Sequence, residues 1–262
     1  MRRIYTTVAI LAALGGVAAT ALAATAGNTY TATYSFSPTQ AGTAAHPVPI
    51  SETFNYTAKN KNPQLLTEPI IEVKHVIYGV KTDGKDFAVC SLAFISAHGN
   101  NDAKCNPNAL VATGYINATL SPNANKNAPH QIPCNPYLHV WNGGQGKVTY
   151  ELTAPQNQTR CGGLHTGAAT PYPGTMTQVG NNLVLDDKVG EADAFPVGLY
   201  AAVRYQHLVW AKKTKVVKGK TVAYQSSFAC KNGQRPTSTT FTSEAKQRGQ
   251  HHVVTINYSA KC

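Results

Sequence analysis

The chain is 262 residues long and carries 23 Lys and Arg against 12 Asp and Glu, a formal net charge of +11. That length suffices for a well-buried core, and the moderate excess of base favours contact with anionic polymers or surfaces. The basic residues are mostly scattered, which excludes the charge density of a dedicated nucleic-acid binder.

Residues 1–26, MRRIYTTVAILAALGGVAATALAATA, read as an export leader and not as part of the fold. Arg2 and Arg3 form its positive region, and 8–22 supply an uncharged apolar run. Ala21-Leu22-Ala23 and Ala24-Thr25-Ala26 offer small-x-small cleavage sites. The run is shorter than the about 20 residues a membrane span wants. Cleavage removes Arg2 and Arg3, so 21 basic residues face 12 acids and the mature charge is +9. No later apolar stretch approaches spanning length. A secreted or envelope-associated protein without a transmembrane segment is expected.

The mature chain, 27–262, reads as strands between turn-rich links. Over 28–37 (NTYTATYSFS), Tyr30, Ala32, Tyr34 and Phe36 alternate with Thr29, Thr31, Thr33 and Ser35, the period-two signal of a half-buried strand. Residues 51–58 repeat the device with Phe54 and Tyr56. The long β-branched run 69–80 puts Ile71, Val73, His75 and Ile77 on one side. Further strands are expected at 110–120, 137–141, 147–153, 183–186, 199–212, 221–230, 237–243 and 252–259. Residues 203–225 should form a hairpin turning at Lys218-Gly219-Lys220. Helical periodicity is almost absent, and 243–250 is the one stretch whose composition tolerates a helix. The pattern implies an all-β fold, an antiparallel β-sandwich of immunoglobulin or jelly-roll type. It should form one large domain over 27–262, with the Asn/Pro-rich 121–133 as the candidate place for a split.

Six cysteines, Cys90, Cys105, Cys134, Cys161, Cys230 and Cys262, all follow the leader. An even number in an oxidising compartment argues for three disulfides. Fifteen connectivities are open, of which nearest-neighbour pairing is preferred; each such bridge would be worth about 3 to 4 kcal/mol in the chain-entropy model. No Cys-x-x-Cys or Cys-x-x-His spacing suggests zinc. A free catalytic thiol would be lost to oxidation after export.

Four clusters carry candidate chemistry. The nine histidines raise a metal reading: if Cys134 and Cys161 bond, His139 and His165 become neighbours, yet no third ligand is identifiable. No metal and no cofactor is therefore expected. Asp186, Asp187, Glu191 and Asp193 crowd four of the twelve acids into eight residues, an acidic loop without the ligand spacing of an EF-hand. The same carboxylates are the ones a glycoside hydrolase would use. Lys212, Lys213, Lys215, Lys218 and Lys220 fall within nine residues between Trp210 and Tyr224. They suit either an anionic cell-wall polymer or polysaccharide or the guarding of an edge strand. Trp141 and Tyr137 read either as a sugar-stacking platform or as core anchors. Asn55, Asn117, Asn157 and Asn257 begin glycosylation sequons, relevant in a eukaryotic host. Gly-x-Ser-x-Gly, the phosphate loop, Gly-x-Gly-x-x-Gly and His-Glu-x-x-His are all missing, so nothing local marks an enzyme.

The strand at 70–78, the loop Cys90…Cys105-Asn106-Pro107 and the following Gly114-Tyr115-Ile116-Asn117-Ala118-Thr119 resemble a secreted actinobacterial family. Its members have a β-sandwich-like fold, paired-cysteine loops and a C-terminal cysteine. Phe228-Ala229-Cys230-Lys231-Asn232-Gly233, the strands at 237–243 and 253–262, and Pro196-Val197-Gly198-Leu199-Tyr200 are similar to that pattern too. The chain departs from it in having Asn106 where Cys-Pro is usual, and in the extra pair Cys134 and Cys161. The resemblance implies export, a sandwich-like fold, and pairing of Cys90 with Cys105 and Cys230 with Cys262. It carries no catalytic residue. The expected function is that of a secreted or envelope-associated, non-enzymatic binding or structural protein. The alternative is an extracellular carbohydrate-active or other hydrolase on the same scaffold.

Overall fold

Period-two alternation dominates the architecture. A computed structural model describes residues 27–61, 67–121, 132–154, 161, 170–189, 200–244 and 250–262. The first strands are β1 (Asn28–Ser37), β2 (Val48–Pro49), β3 (Ser51–Asn60), β4 (Ile70–Tyr78) and β5 (Val80–Thr82). A segment at 84–109 carries one short helix, α1 (Leu92–Ala97), and three 3₁₀ turns. Next come β6 (Leu110–Ser121), β7 (Ile132–Cys134), β8 (Tyr137–Gly144), β9 (Lys147–Thr153), β10 (Tyr172–Val179) and β11 (Asn182–Lys188). The last are β12 (Tyr200–Trp210), β13 (Thr214–Val217), β14 (Lys220–Ala223), β15 (Gln225–Ser227), β16 (Gln234–Glu244) and β17 (His251–Lys261).

The protein is all-β and antiparallel. One large sheet runs in the order β1-β3-β12-β6-β8-β9-β10-β11-β4-β16-β17, with β7 added to β6. Its two edge strands, β1 and β17, lie beside each other without a ladder, so the sheet rolls almost shut into a barrel. The barrel is flattened. Tyr30 of β1 stacks on Phe241 of β16 at 4.2 Å, and Phe54 of β3 meets His75 of β4 at 4.6 Å. The sandwich is thus one sheet folded back on itself, with β6 and β8 on either side of 121–133 as ladder neighbours. A three-stranded sheet β2-β15-β5 and the hairpin β13–β14 complete the fold.

The described cysteines pair as Cys90–Cys105, Cys134–Cys161 and Cys230–Cys262, and none is free. No helix among the described residues is long and apolar enough to cross a membrane.

Three local departures have physical causes. The expected hairpin over 203–225 is split: β12 joins the main sheet, and the hairpin proper is β13–β14, closed by Lys218 (φ 49°) and Gly219 (φ 76°). Two successive positive φ values give the turn the twist that antiparallel strands require. Residues 172–179 form β10 despite Pro173-Gly174. The glycine leaves room for its neighbours, since a Cβ there would sit 2.7 Å from Asp187 Oδ1. Helix α1 went unforeseen, although Ser91 is a sound cap whose hydroxyl accepts from the Phe94 amide at 3.2 Å.

Gly114 allows β6 and β12 to approach. A Cβ there would lie 1.9 Å from the carbonyl oxygen of His207. Gly114→Ala is expected to push the strands apart and cost about 1–3 kcal/mol, as overpacking does. An unchanged urea midpoint would contradict this account.

Candidate ligand-binding face

Inward residues of β3, β12, β6, β8 and β9, such as Phe54, Leu208, Ile116, Leu138 and Tyr150, are buried in the core. The alternate side chains therefore face outward. Register places Asn55, His207, Tyr115, Tyr137 and Thr153 in one row across these five strands. Thr53, Val209, Thr113, His139 and Glu151 form the next row, and Thr57, Tyr205 and Asn117 a third. At about 4.8 Å between strands, a row spans about 19 Å.

The centre of this face is knitted by Asn55. Its Oδ1 accepts from His207 Nδ1 at 2.6 Å and from the Tyr205 hydroxyl at 3.3 Å, while its Nδ2 donates to Thr33 Oγ1 at 3.3 Å. Tyr115 lies 5.8 Å from the Tyr205 ring and 5.4 Å from the His207 ring. Partial burial, then the adjacent Tyr115 hydroxyl, push the Tyr205 phenol up. A bulge between Val203 and Tyr205 leaves Arg204 exposed beside these rings.

At the far end the 84–109 segment folds over the sheet as a flap. Asn142, fully buried, pins it by donating Nδ2 to the carbonyls of Gly84 (2.9 Å) and Ala88 (2.8 Å). The Cys90–Cys105 bridge closes it. Asp102 on the flap reaches down so that its Oδ2 accepts from His139 Nδ1 at 2.6 Å and from Trp141 Nε1 at 3.1 Å. Beside them Glu151 is enclosed, and burial, helped by the Asp102 charge, pushes its carboxyl up to about 9. Trp141 packs with Cys90, Ile95, Cys105 and Ala109. It is a core anchor and no sugar platform, whereas Tyr137 stays on the outer face.

The acidic loop expected from the sequence does not form at Asp186 and Asp187, which belong to strand β11 and point to opposite sides. Asp186 joins Lys188 and Glu72 in a surface ion cluster, with Lys188 Nζ 3.2 Å from Asp186 Oδ1. Asp187 is buried inside the barrel, where desolvation first and the Asp186 charge next raise its carboxyl to about 8. These two cannot act as a carboxylate pair across a cleft. Glu191 and Asp193 lie outside the described residues, as does His165.

The barrel interior holds further polar groups. His75 Nδ1 meets Thr239 Oγ1 at 3.0 Å, Thr239 meets the Tyr258 hydroxyl at 2.6 Å, and His75 Nε2 is 3.9 Å from Asp187 Oδ2. Burial drives His75 down to about 3, so it is neutral. Glu52, 1% exposed, is raised to about 8 by burial, against the pull of Arg235 and Tyr34. The Arg235 guanidinium sits 4.2 Å over the Phe36 ring and donates to Ser227. Aromatic rings, among them Tyr34, Phe54 and Tyr258, pack around these groups.

Of the five clustered lysines, Lys213 and Lys215 are tied back to the flap, donating to the carbonyls of Asn108 (3.0 Å) and Asp86 (2.7 Å). Lys212, Lys218 and Lys220 are exposed. The hairpin is a separate two-stranded sheet, so its lysines guard no edge of the main one. Among the described residues no group of three His, Cys, Asp or Glu is placed to hold a metal. Asn55, Tyr115, Tyr205, His207 and Asp102 went unrecognised as site residues in the sequence. Tyrosines at outward positions among threonines were the available signal. No protein-family model and no curated protein matches the chain.

Proposed function

We propose that the protein is exported and works in the extracellular space or on the cell envelope as a non-enzymatic binding or structural protein. Its ligand is an anionic cell-wall polymer or polysaccharide. The observation that carries this reading is the lysine hairpin, anchored to the flap by Lys213 and Lys215 while Lys212, Lys218 and Lys220 stay exposed. The leader, the mature charge of +9 and the three disulfides support it, as does the resemblance to the secreted actinobacterial family. Retention on a polygalacturonate resin should fall steeply by ~0.5 M salt, where screening acts over a few ångströms. Lys212→Gln/Lys218→Gln/Lys220→Gln should elute well before the wild type. Salt-independent retention, or none, would remove this reading.

One observation favours a second reading, an extracellular hydrolase. A carboxylate orienting an imidazole, as Asp102 does His139, is the arrangement of a general base. Loss of polysaccharide hydrolysis in His139→Ala would support it; no release of reducing ends by the wild type would end it.

A further inference from the structure

Resting on the binding reading above, we propose that the outward face of β3, β12, β6 and β8 is a sugar-stacking subsite. It seats the pyranose rings of an extended acidic polysaccharide on Tyr205, Tyr115 and Tyr137. Pyranose rings present an apolar C–H face to an aromatic ring and hydroxyls around their rim, so a sugar site needs flat aromatics interleaved with amides and hydroxyls. This face has that composition. Tyr115, Tyr137 and Tyr205 sit half-buried among Asn55, Asn117, Thr33, Thr57 and Thr113, with two of the rings and His207 already in mutual contact.

Charge selects the class of glycan. The one carboxylate on β1, β3, β12, β6 and β8, Glu52, points inward, and Asp102 of the flap, at the far end, is buried against His139 and Trp141. The exposed cations Lys59 and Arg204 border the same face. The face is therefore neutral to positive, complementary to a polymer bearing carboxylates. Among the described residues the exposed large apolar side chains, Val89, Phe94, Val179, Val216 and Val253, lie elsewhere, so the surroundings of the three rings are polar. The row from β3 to β8, three strand spacings or about 14 Å, gives an extended chain a track across the strands, separate from the hairpin.

Affinity electrophoresis tests this with four probes: polygalacturonate (rings and charge), dextran (rings alone), polyphosphate (charge alone) and oligothymidylate (bases and charge). Tyr115→Ala/Tyr205→Ala should weaken polygalacturonate binding roughly ten- to a hundredfold, equally at low and at ~0.5 M salt. Polyphosphate retention should be unchanged, and Tyr115→Phe/Tyr205→Phe should bind as the wild type does. Should the alanine pair fail to fold, Tyr205→Ala alone, at the bulge, decides. A tyrosine variant that binds polygalacturonate like the wild type overturns the subsite while leaving the lysine hairpin as the binding element. Dextran binding as tight as polygalacturonate overturns the acidic class. Tighter binding of oligothymidylate through the same tyrosines overturns the sugar assignment. Retention by none of the four overturns both this inference and the reading beneath it.

Discussion

Raising the pH from about 6.5 to about 8 is expected to destabilise this protein. Three buried carboxyls set the sign. Asp187 is raised from 3.8 to about 8, Glu52 from 4.5 to about 8, and Glu151 from 4.5 to about 9, in each case chiefly by burial. In the unfolded chain all three ionise near pH 4. Across the interval up to about 8 the folded state therefore binds more protons than the unfolded state. Stability falls as pH rises, by up to about 1.4 kcal/mol per pH unit for each group. His75 acts in the opposite sense but elsewhere. Its pKa drops from 6.5 to about 3 on burial, so its contribution is complete above 6.5 and fades as pH falls toward 3. The carboxyls are unopposed above 6.5, and optimum stability should lie on the acid side of neutrality. Urea unfolding at several pH values measures the slope directly. Asp187→Asn, which keeps the shape and removes the titration, should flatten it and stabilise the protein at pH of about 8. A stability that climbs through this interval would show that these groups are ionised in the folded state.

The largest expected effect of a single substitution is at Phe241. It is fully buried, stacks flat on Tyr30 with 2° between the planes, and meets Tyr56 edge-on at 5.1 Å. It is therefore a contact through which β16 meets both β1 and β3 across the flattened barrel, within one buried cluster. Phe241→Ala removes a large apolar side chain and leaves a cavity between surfaces fixed by their own ladders. The expected cost is about 3–5 kcal/mol, read as a lowered urea midpoint with the disulfides intact. Phe241→Leu, which refills most of the volume, should cost clearly less. A loss below about 1 kcal/mol in the alanine variant would mean that the two halves of the sheet are held apart from this ring.

The site was less legible than the scaffold. Tyr137, His139 and the lysines stand out in the sequence, whereas Tyr115 and Tyr205 read only as strand residues. Asn55 was visible as a sequon and not as the hub that accepts from His207, 152 positions along the chain. Trp141 could be platform or anchor until the flap was seen to cover it. Asp186 and Asp187, adjacent in sequence, suggested one acidic loop, yet a strand separates adjacent side chains onto opposite faces.

What the sequence by itself determined was local: the period of two, the turn at Lys218-Gly219, the parity of the cysteines and the alternation that buries Tyr30, Phe54, Val73 and Ile256. These follow from backbone sterics and side-chain spacing within a few residues. The tertiary structure decided which strands are neighbours, which face becomes the interior, and hence that Asp187 is buried while Asp186 is not. Alternation makes the two faces of a strand different but is silent on its partner. Ladder hydrogen bonds are alike in every pair, so the order β1-β3-β12-β6 is selected by packing among residues far apart in the chain.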